Sequence, residues 1–420
     1  MFLLKKIKIV DQGITLLDTC LVDNQDQSVD CLFSTLILGE NGVGKSFLLK
    51  AIADIFIYLN NAQTFKRKPK YPYDQFFVEY SIDSTDYYVE RISSRIINCY
   101  MNGETIQLNE LTLPEKVLAV AFMVNDKFLF AKRDEYERYV YLGVRKTTNA
   151  TYTSSVFQNV ISGIMRILKL GYTEELSLIL DMLKFDHVIE LSDYHGSVIA
   201  RIDTNTAKIV EGQIPTSEAV VHRLDFYKKG RKTSYEECSS GEKHIIFTLF
   251  SVLSAIEKNS VILIDEPEIS LHPEWQTQYI SLLKHVFMSF AGCHILLASH
   301  SHYFVSDLER NSSSIVILKQ DEDHDFFVKS ELLPDDTYAW SAENIIYNVF
   351  GLRTTRNYYF ESDLQKLISL MQESDLDKLH QVIVLVDKLK RYVYNEMDPL
   401  NTVITTAEDY IRCLQGNLNN

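Results

Sequence analysis

The sequence has no hydrophobic stretch long enough to form a membrane-spanning helix. Its longest unbroken apolar run, from Val117 to Val124, covers 8 residues, whereas such a helix needs about 20. The amino terminus places two lysines after four apolar residues, and it has neither a long hydrophobic region nor a small-residue cleavage site. We therefore expect a cytoplasmic protein that does not contact a membrane.

Cysteine is scarce, and positive charge is outnumbered. The 6 cysteines among 420 residues include no pair at Cys-x-x-Cys spacing, which argues against a disulfide framework and against a zinc site. The 42 basic residues face 57 acidic ones, giving a net charge of −15. This balance argues against a protein whose whole surface binds nucleic acid. After Gln320, 18 acidic residues outnumber 9 basic ones, so the acidity is concentrated in the tail.

Short apolar runs predict a parallel sheet in a globular protein, whose composition is 46% hydrophobic and 24% charged. The runs Leu36–Leu38, Val261–Ile264, Ile295–Ala298 and Ile315–Leu318 are continuous rather than alternating. Such runs are typical of strands that are buried on both faces. The first leads through a glycine-rich loop into a helix beginning near Ser46, where apolar residues recur at three- and four-residue spacing.

Other regions carry different patterns. Residues 76–92 and 117–124 are rich in strand-forming residues, and we predict that most of them form antiparallel sheet. Residues 155–185 have helical periodicity, and residues 243–256 return to it. Between them, residues 204–217 are polar and predict a linker. Beyond residue 319 we predict an acidic and mostly helical chain.

The loop between the first of these strands and its helix matches the phosphate-binding pattern G-x-x-x-x-G-K-S, with Gly39, Glu40, Asn41, Gly42, Val43, Gly44, Lys45 and Ser46. Glycines let successive backbone N–H groups turn towards bound phosphate, and the helix N-terminus adds its dipole. The Lys45 ammonium would reach the β- and γ-phosphates, and the Ser46 hydroxyl would be a ligand of Mg²⁺. The sequence therefore predicts a site for ATP and Mg²⁺.

Two adjacent carboxylates follow the apolar run that begins at Val261. Asp265 and Glu266 stand where a Walker B strand ends. Asp265 is expected to hold Mg²⁺ together with Ser46, and Glu266 is expected to be catalytic by polarising the attacking water. A solvated turn would also carry two acids at a strand end, but the phosphate-binding loop favours the catalytic interpretation.

Ser239, Ser240 and Gly241 directly precede the second helical pattern. Backbone N–H groups and hydroxyls at the start of a helix can bind phosphate. Together with Glu242, the same residues would equally form an ordinary helix cap. Ser239 lies 26 residues before Asp265, and this distance favours a second phosphate-binding element.

Along the chain the glycine loop comes first, the serine-rich helix start second and the pair of acids third. Motifs in this order resemble those of the ATP-binding-cassette ATPases, and within them the SMC/RecF-like branch. Residues 238–242, CSSGE, stand where the family signature is commonly LSGGQ, and Ser270–Pro273 resembles the D-loop. His300 resembles the switch histidine, which implies a catalytic role. The resemblance implies an α/β P-loop NTPase fold of ABC/SMC-head type, with an antiparallel β subdomain, a helical signature lobe and a helical C-terminal extension. It also implies a homodimer or higher oligomer closed around ATP.

On this basis we expect four segments along the chain. They are an N-terminal ATPase lobe with Walker A (1–145), a helical insert and signature lobe (146–258), an ATPase core with Walker B and the switch histidine (259–330), and an acidic helical C-terminal extension (331–420).

Two further stretches narrow the resemblance. Residues 121–145 and 340–357 are similar to the ATPases of Septu and Septu-like retron systems, which defend prokaryotes against phages. This implies ATP hydrolysis that controls a separate effector, an HNH-type nuclease. Ser239 follows Lys45 by 194 positions, and the chain between them contains no heptad run, which excludes a long coiled coil. No glutamine stands at the Q-loop position, and whether Asn125 or Asp126 fills that role stays open.

Other functions stay open as well. A RecF-like DNA-binding ATPase in repair is the main alternative, and the acidic tail disfavours a transporter subunit. The tail has no Asp-x-Asp pair in a strand context, the nearest being Asp375–Asp377, so we expect that the chain is not itself a nuclease. Basic clusters at Lys66–Lys70 and Lys228–Lys232 are either solvated loops or contacts to nucleic acid. The second cluster is the better candidate, because it lies just before the signature.

Overall fold

The computed structural model describes residues 1–23, 32–64, 71–93, 96–123, 125–131, 135–145, 153–206, 208–305, 308, 311–320, 328–333, 358–373, 378–392 and 400–418. The chain divides into two compact units, Met1–Ile345 and Ile346–Asn420.

The described strands all lie in the first unit, and in chain order they are β1 (Phe2–Asp11), β2 (Ile14–Cys20), β3 (Phe33–Gly39), β4 (Gln75–Ile82), β5 (Thr85–Ser93), β6 (Ile96–Met101), β7 (Glu104–Ile106), β8 (Val117–Ala121), β9 (Tyr139–Tyr141), β10 (Val188–Ser192), β11 (Val198–Asp203), β12 (Lys208–Gly212), β13 (Arg223–Lys228), β14 (Arg231–Ser234), β15 (Val261–Asp265), β16 (His294–Ser299), β17 (Ser313–Gln320) and β18 (Val328–Leu332). The α-helices described in this unit are α1 (Lys45–Thr64), α2 (Thr153–Leu170), α3 (Thr173–Met182), α4 (Ser240–Leu253) and α5 (Pro273–Val286).

A 13-stranded sheet runs through the first unit in the order β7-β6-β5-β4-β1-β2-β18-β17-β3-β16-β15-β8-β9. The six strands from β17 to β9 are all parallel. The predicted parallel sheet is confirmed, and strands β3, β15 and β8 are buried along their whole length. Because side chains on both faces of these strands are covered, their sequences read as continuous apolar runs.

The other end of the sheet is antiparallel from β2 through β7. Strand β4 shows strictly alternating burial, as expected for a strand with one face on the core and one towards solvent. Helix α1 packs on this sheet through an aromatic cluster in which Phe56 contacts both Phe2 and Tyr80. The sheet thereby holds the helix that follows the glycine loop.

Two sequence-based predictions are corrected by this topology. Strand β8 was expected in antiparallel sheet, but it pairs in parallel with β15 and β9. Strand β8 is buried along its whole length, and its continuous apolar run is the pattern of a parallel strand. The prediction was wrong because it grouped this run with the alternating residues 76–92. The polar residues 204–217 were expected to be a linker, yet they contain the exposed edge strand β12.

The segment between α2 and α4 holds a second sheet, which is antiparallel with strand order β12-β11-β10-β13-β14. Residues 146–258 were expected to form a helical insert and signature lobe with a polar linker, and no sheet was predicted there. Helices α2 and α4 pack so closely that a Cβ atom on Gly163 would lie 1.9 Å from the carbonyl oxygen of Phe250. This contact fixes the helix that carries the signature against its neighbour.

The second unit contains three described helices, α6 (Tyr358–Glu373), α7 (Leu379–Lys390) and α8 (Leu400–Leu418). They share an apolar core that includes Leu367, Val386 and Ala407. The predicted helical C-terminal extension is confirmed for these residues. None of the described helices is both long and apolar enough to span a membrane.

Candidate functional site

The glycine loop lies where β3 leaves the sheet and α1 begins. A Cβ atom on Gly39 would lie 2.5 Å from the carbonyl oxygen of Leu318, the β17 residue paired with it, so only glycine fits there. Gly44 has φ +100°, a backbone conformation that other residues rarely adopt. The predicted phosphate-binding loop therefore has the backbone shape that its glycines suggested.

The Lys45 side chain is buried against its own loop. Its Nζ atom donates hydrogen bonds of 2.8 Å to the carbonyl oxygens of Gly39 and Glu40. Burial lowers the pKa of Lys45, and the carboxylates of nearby acids, Asp265, Glu266 and Glu268, offset this in part. The ammonium is thus placed between the loop and a cluster of negative charge.

Ser46 and Asp265 meet although they are 219 positions apart. The Ser46 hydroxyl donates to Asp265 Oδ1 at 3.0 Å, which joins the start of α1 to the end of β15. Both are hard oxygen ligands, and two oxygens in adjacent positions of an octahedral Mg²⁺ shell lie about 3 Å apart. The pair therefore fits Mg²⁺. Burial, with smaller contributions from Glu266 and Glu268, raises the pKa of Asp265 to about 6.

Glu266 follows Asp265 in an unusual backbone conformation. Its φ is +50°, in the left-handed region, and its N–H donates to the carbonyl oxygen of Ala298 at 2.9 Å. Non-glycine residues seldom adopt this conformation, and active sites are one of the places where they are found. The strand β15 ends at Asp265, so Glu266 is the first residue of the turn that follows it.

His300 stands at the end of β16, the strand next to β15, with its side chain 46% exposed. Its ring Nδ1 lies 2.9 Å from Glu268 Oε1, and its backbone N–H donates to the same oxygen at 2.8 Å. Sequence analysis did not single out Glu268. The sequence did contain a signal for this residue, because Glu268 is a third acidic residue within four positions of Asp265.

The D-loop continues directly from these acids into α5. Ser270 has φ +68°, and the His272 side chain accepts from the N–H of Glu274 as the N-cap of α5. Gln276 donates from Nε2 to the carbonyl oxygen of Leu271 at 3.0 Å. The loop is therefore held to the helix that follows it.

The signature residues form the N-terminus of α4. Ser239 and Glu242 make a reciprocal capping box: the Ser239 hydroxyl accepts from the Glu242 N–H, and Glu242 Oε2 accepts from the Ser239 N–H at 2.7 Å. The helix-cap interpretation is correct. Ser239 and Ser240 are exposed, whereas Gly241 is buried beneath the D-loop, where a Cβ atom would lie 2.6 Å from the Trp275 ring.

His244, one turn into α4, is a second residue that sequence analysis missed. Its ring stacks on Phe122, with centroids 3.6 Å apart, and it also hydrogen-bonds to the backbone of Ile269. Burial lowers the pKa of His244 to about 3, so the ring is neutral. This residue ties the signature helix both to the chain after β8 and to Ile269, directly before the D-loop.

Asp126 does not have a free carboxylate for a metal. Its Oδ2 accepts from the Tyr141 hydroxyl at 2.6 Å, and its Oδ1 accepts from the Phe128 N–H at 3.0 Å and lies 3.6 Å from Arg145 Nη2. These contacts anchor the loop after β8. Asn125 is exposed, and the residue that fills the Q-loop role is not identified by these contacts.

The basic cluster Lys228–Lys232 is partly neutralised by ion pairs. Lys228 Nζ lies 3.2 Å from Glu242, and Lys232 pairs with Glu190 and with Asp225. A contact to nucleic acid at this cluster stays a prediction. Three stretches singled out in the sequence lie outside the described residues: Lys66–Lys70, 340–357 and Asp375–Asp377.

Residues 173–306, which include the signature, Walker B and His300, match the family described as "AAA domain, putative AbiEii toxin, Type IV TA system". Over 372 residues, the sequence is 24% identical to Septu protein PtuA of Bacillus thuringiensis, covering 84% of this chain and 87% of PtuA. The chain is similar to PtuA. The resemblance to the ATPases of Septu systems is thereby confirmed.

The solved structures that match this chain include SMC heads. The SMC head domain from Thermotoga maritima has 12% identity and a TM-score of 0.41, and the match covers 79% of this chain and 99% of that one. An Smc head domain bound to the C-terminal domain of ScpA, derived from Pyrococcus furiosus, has 10% identity and a TM-score of 0.38, with 79% and 96% covered. The assignment to a P-loop NTPase fold rests on the strand order and loop geometry described above.

Proposed function

We propose that this protein is an ABC-type ATPase that binds and slowly hydrolyses ATP with Mg²⁺, dimerises around the nucleotide, and controls a separate nuclease in antiphage defence. The contact between Ser46 and Asp265 carries the proposal. It joins a phosphate-binding loop to the carboxylate end of a buried strand, which is the arrangement that phosphoryl transfer requires.

In this proposal each residue has a defined task. Loop N–H groups and Lys45 bind the β- and γ-phosphates. Mg²⁺ would be held by Ser46 and Asp265 and would neutralise phosphate charge. Glu266 orients the attacking water and accepts its proton, and His300 contacts the γ-phosphate side of the site.

The position of the signature supports the proposed dimerisation. In the part of the chain that the structure describes, the hydrogen bonds of Ser239 go to Glu242 and Lys243, and none goes to the glycine loop. The exposed N-terminus of α4 is therefore available to a second copy. We propose that Ser239 and Ser240 of one chain close over the phosphates bound by the other, with Gly241 beneath them keeping α4 close to the D-loop.

Control of a separate effector is supported by the similarity to PtuA. The acidic composition of the residues after Gln320 would favour a partner with a basic surface, since complementary charge speeds association. We propose that the ATP-bound and ATP-free states differ in their affinity for this partner. The chain itself does not cut nucleic acid in this proposal.

ATP binding and turnover are tested with two variants. Lys45→Ala is expected to lose nucleotide binding, whereas Glu266→Gln is expected to bind ATP and to turn it over roughly 10²- to 10⁴-fold more slowly. Binding is measured with a fluorescent ATP analogue, and turnover by phosphate release. Glu104→Gln, which changes an exposed carboxylate in β7, is the matched control. Undiminished turnover in Glu266→Gln would exclude the role given to Glu266.

Dimerisation is tested by sedimentation velocity of Glu266→Gln with and without ATP. We expect an ATP-dependent dimer that Ser239→Arg abolishes while ATP binding persists. Ser217→Arg replaces another exposed capping serine and is expected to leave the dimer intact. A protein that hydrolyses ATP as a strict monomer would contradict this part of the proposal.

Effector control is tested by incubating DNA or RNA with the chain, ATP and Mg²⁺ or Mn²⁺, first alone and then with an HNH-type nuclease encoded by a neighbouring gene. We expect cleavage only with the nuclease, and we expect it to depend on nucleotide state. Cleavage by the chain alone, lost on replacing acids other than Asp265 and Glu266, would show that a catalytic site was overlooked.

A further inference from the structure

We propose that Glu268 is a positioning residue for ATP hydrolysis: it fixes the proton of His300 on Nδ1 and aims the ring through Nε2. This inference rests on the proposed function, because it assigns a role within the same ATPase site. None of the sequence motifs assigned a task to Glu268.

The geometry around one carboxylate oxygen carries the inference. Three donors converge on Glu268 Oε1: the backbone N–H of His300 at 2.8 Å, the ring Nδ1 of His300 at 2.9 Å and the hydroxyl of Ser299 at 2.8 Å. The first two belong to the same residue, so the carboxylate holds both the backbone and the ring of His300. One acceptor thereby fixes the position of the His300 ring relative to the backbone of the same residue.

The chemistry of the acceptor determines the tautomer. An ionised carboxylate only accepts hydrogen bonds, so the His300 nitrogen facing it must carry a proton. Nδ1–H is therefore the donor, and Nε2 is left at the far side of the ring for the substrate. The catalytic role of a histidine depends on which ring nitrogen carries the proton. The hydrogen bond made by one nitrogen determines the protonation state of the other.

The burial of Glu268 argues against a role in stability alone. The Glu268 side chain is only 7% exposed, yet its Oε2 atom has no hydrogen-bond partner among the described residues. A buried carboxylate oxygen without a partner costs stability. An apolar or fully paired residue would serve the fold better, so the retained charge points to a task in the site.

Glu268 also links two loops. Its backbone carbonyl oxygen accepts from the Leu271 N–H in the D-loop at 3.0 Å, while its side chain holds Ser299 and His300 at the end of β16. A movement of the D-loop would therefore be transmitted to the imidazole through a single residue. The D-loop borders the signature of the same chain through Gly241.

The tautomer can be observed directly without any measurement of activity. We would record long-range ¹H–¹⁵N spectra of protein labelled at histidine, and identify His300 by the signal that is lost in His300→Ala. The wild type is expected to show Nδ1–H. In Glu268→Ala, the shifts of His300 are expected to move towards the Nε2–H form, and Glu268→Gln, which keeps an acceptor, is expected to lie between the two. Identical His300 shifts in all three proteins would overturn the proposal.

Kinetics provide the second test. Glu268→Ala is expected to lower kcat by roughly 10- to 100-fold with little change in the affinity for ATP, because positioning acts on the reaction and not on binding. In the His300→Ala background the same change is expected to have no further effect, since the residue acts through His300. Glu104→Gln is again the control. If the decreases in kcat of Glu268→Ala and His300→Ala multiply in the double variant, the positioning role is wrong.

The two hypotheses fail in different ways. If the wild type does not hydrolyse ATP, the proposed function is wrong, but the spectra still decide whether Glu268 sets the tautomer. If the wild type hydrolyses ATP and the spectra of the variants do not change, the ATPase proposal stands and the inference on Glu268 fails.

Discussion

Replacing His294 with asparagine should make the stability of the protein less sensitive to acid. His294 begins β16 and is fully buried. Its Nδ1 accepts from the Leu4 N–H at 3.1 Å, so its Nε2 carries the proton and donates to Thr35 at 2.8 Å. A second proton would have to lie on Nδ1, opposite the Leu4 N–H, where two donors would face each other. Burial lowers the pKa of His294 to about 3.

The magnitude follows from linkage between protonation and folding. In the unfolded chain His294 has an ordinary pKa of about 6.5, so below that pH the unfolded state binds a proton that the folded state refuses. Stability from this group is present above pH 6.5 and is lost as the pH falls. Between pH 7 and pH 5 the loss is about 2 kcal/mol.

Urea unfolding of wild type and His294→Asn at pH 7, 6 and 5 tests this. Asparagine can still accept from Leu4 but loses the ring contact with Phe33, so the variant is expected to be less stable at pH 7 by roughly 2 kcal/mol. At pH 5 the difference in unfolding free energy between the wild type and His294→Asn should be close to zero. His195→Asn, at an exposed turn, should show no such change. A gap that stays constant from pH 7 to pH 5 would refute the argument.

Three further variants test packing at the site. Gly241→Ala is expected to lower the unfolding free energy by about 1–3 kcal/mol, because its Cβ would meet the Trp275 ring, and Trp275→Leu should restore part of the loss in thermal unfolding. Gly163→Ala should cost about 3 kcal/mol, since the atom it would meet is the backbone oxygen of Phe250, which cannot rotate away; thermal unfolding measures it. Asp126→Ala should cost about 3 kcal/mol because it breaks a buried ion pair, yet leave the Mg²⁺ dependence of ATP turnover unchanged in a metal titration.

Local motifs predicted the glycine loop as a phosphate-binding element and the two acids at the end of β15 as its partners. Their residue types are dictated by backbone shape and by the chemistry of phosphate and metal, so the pattern is visible in a few consecutive residues. The structure then brings Ser46 and Asp265 together. In contrast, β12 has the sequence KIVEG, in which every residue is exposed, so an edge strand of this kind lacks the alternation that predicts strands.

Residues whose roles depend on distant partners could not be predicted. Glu268 acts on His300, which is 32 positions away, and His244 stacks on Phe122. No local pattern records such contacts, because they arise only when parallel strands place separate loops at the same edge of the sheet. The need for glycine at positions 241 and 163 could not be predicted for the same reason. Only the folded structure shows the atoms that a Cβ at Gly241 or Gly163 would meet.

The order of the parallel strands has a consequence for protein synthesis. Phe33 pairs with His294, so the strand that precedes the glycine loop has no neighbour on that side until residue 299 has been made. At ribosomal rates of about 5–20 residues per second, that interval is on the order of ten seconds or more. During this time an apolar strand is exposed. Any truncation before β16 is therefore expected to leave an aggregation-prone fragment.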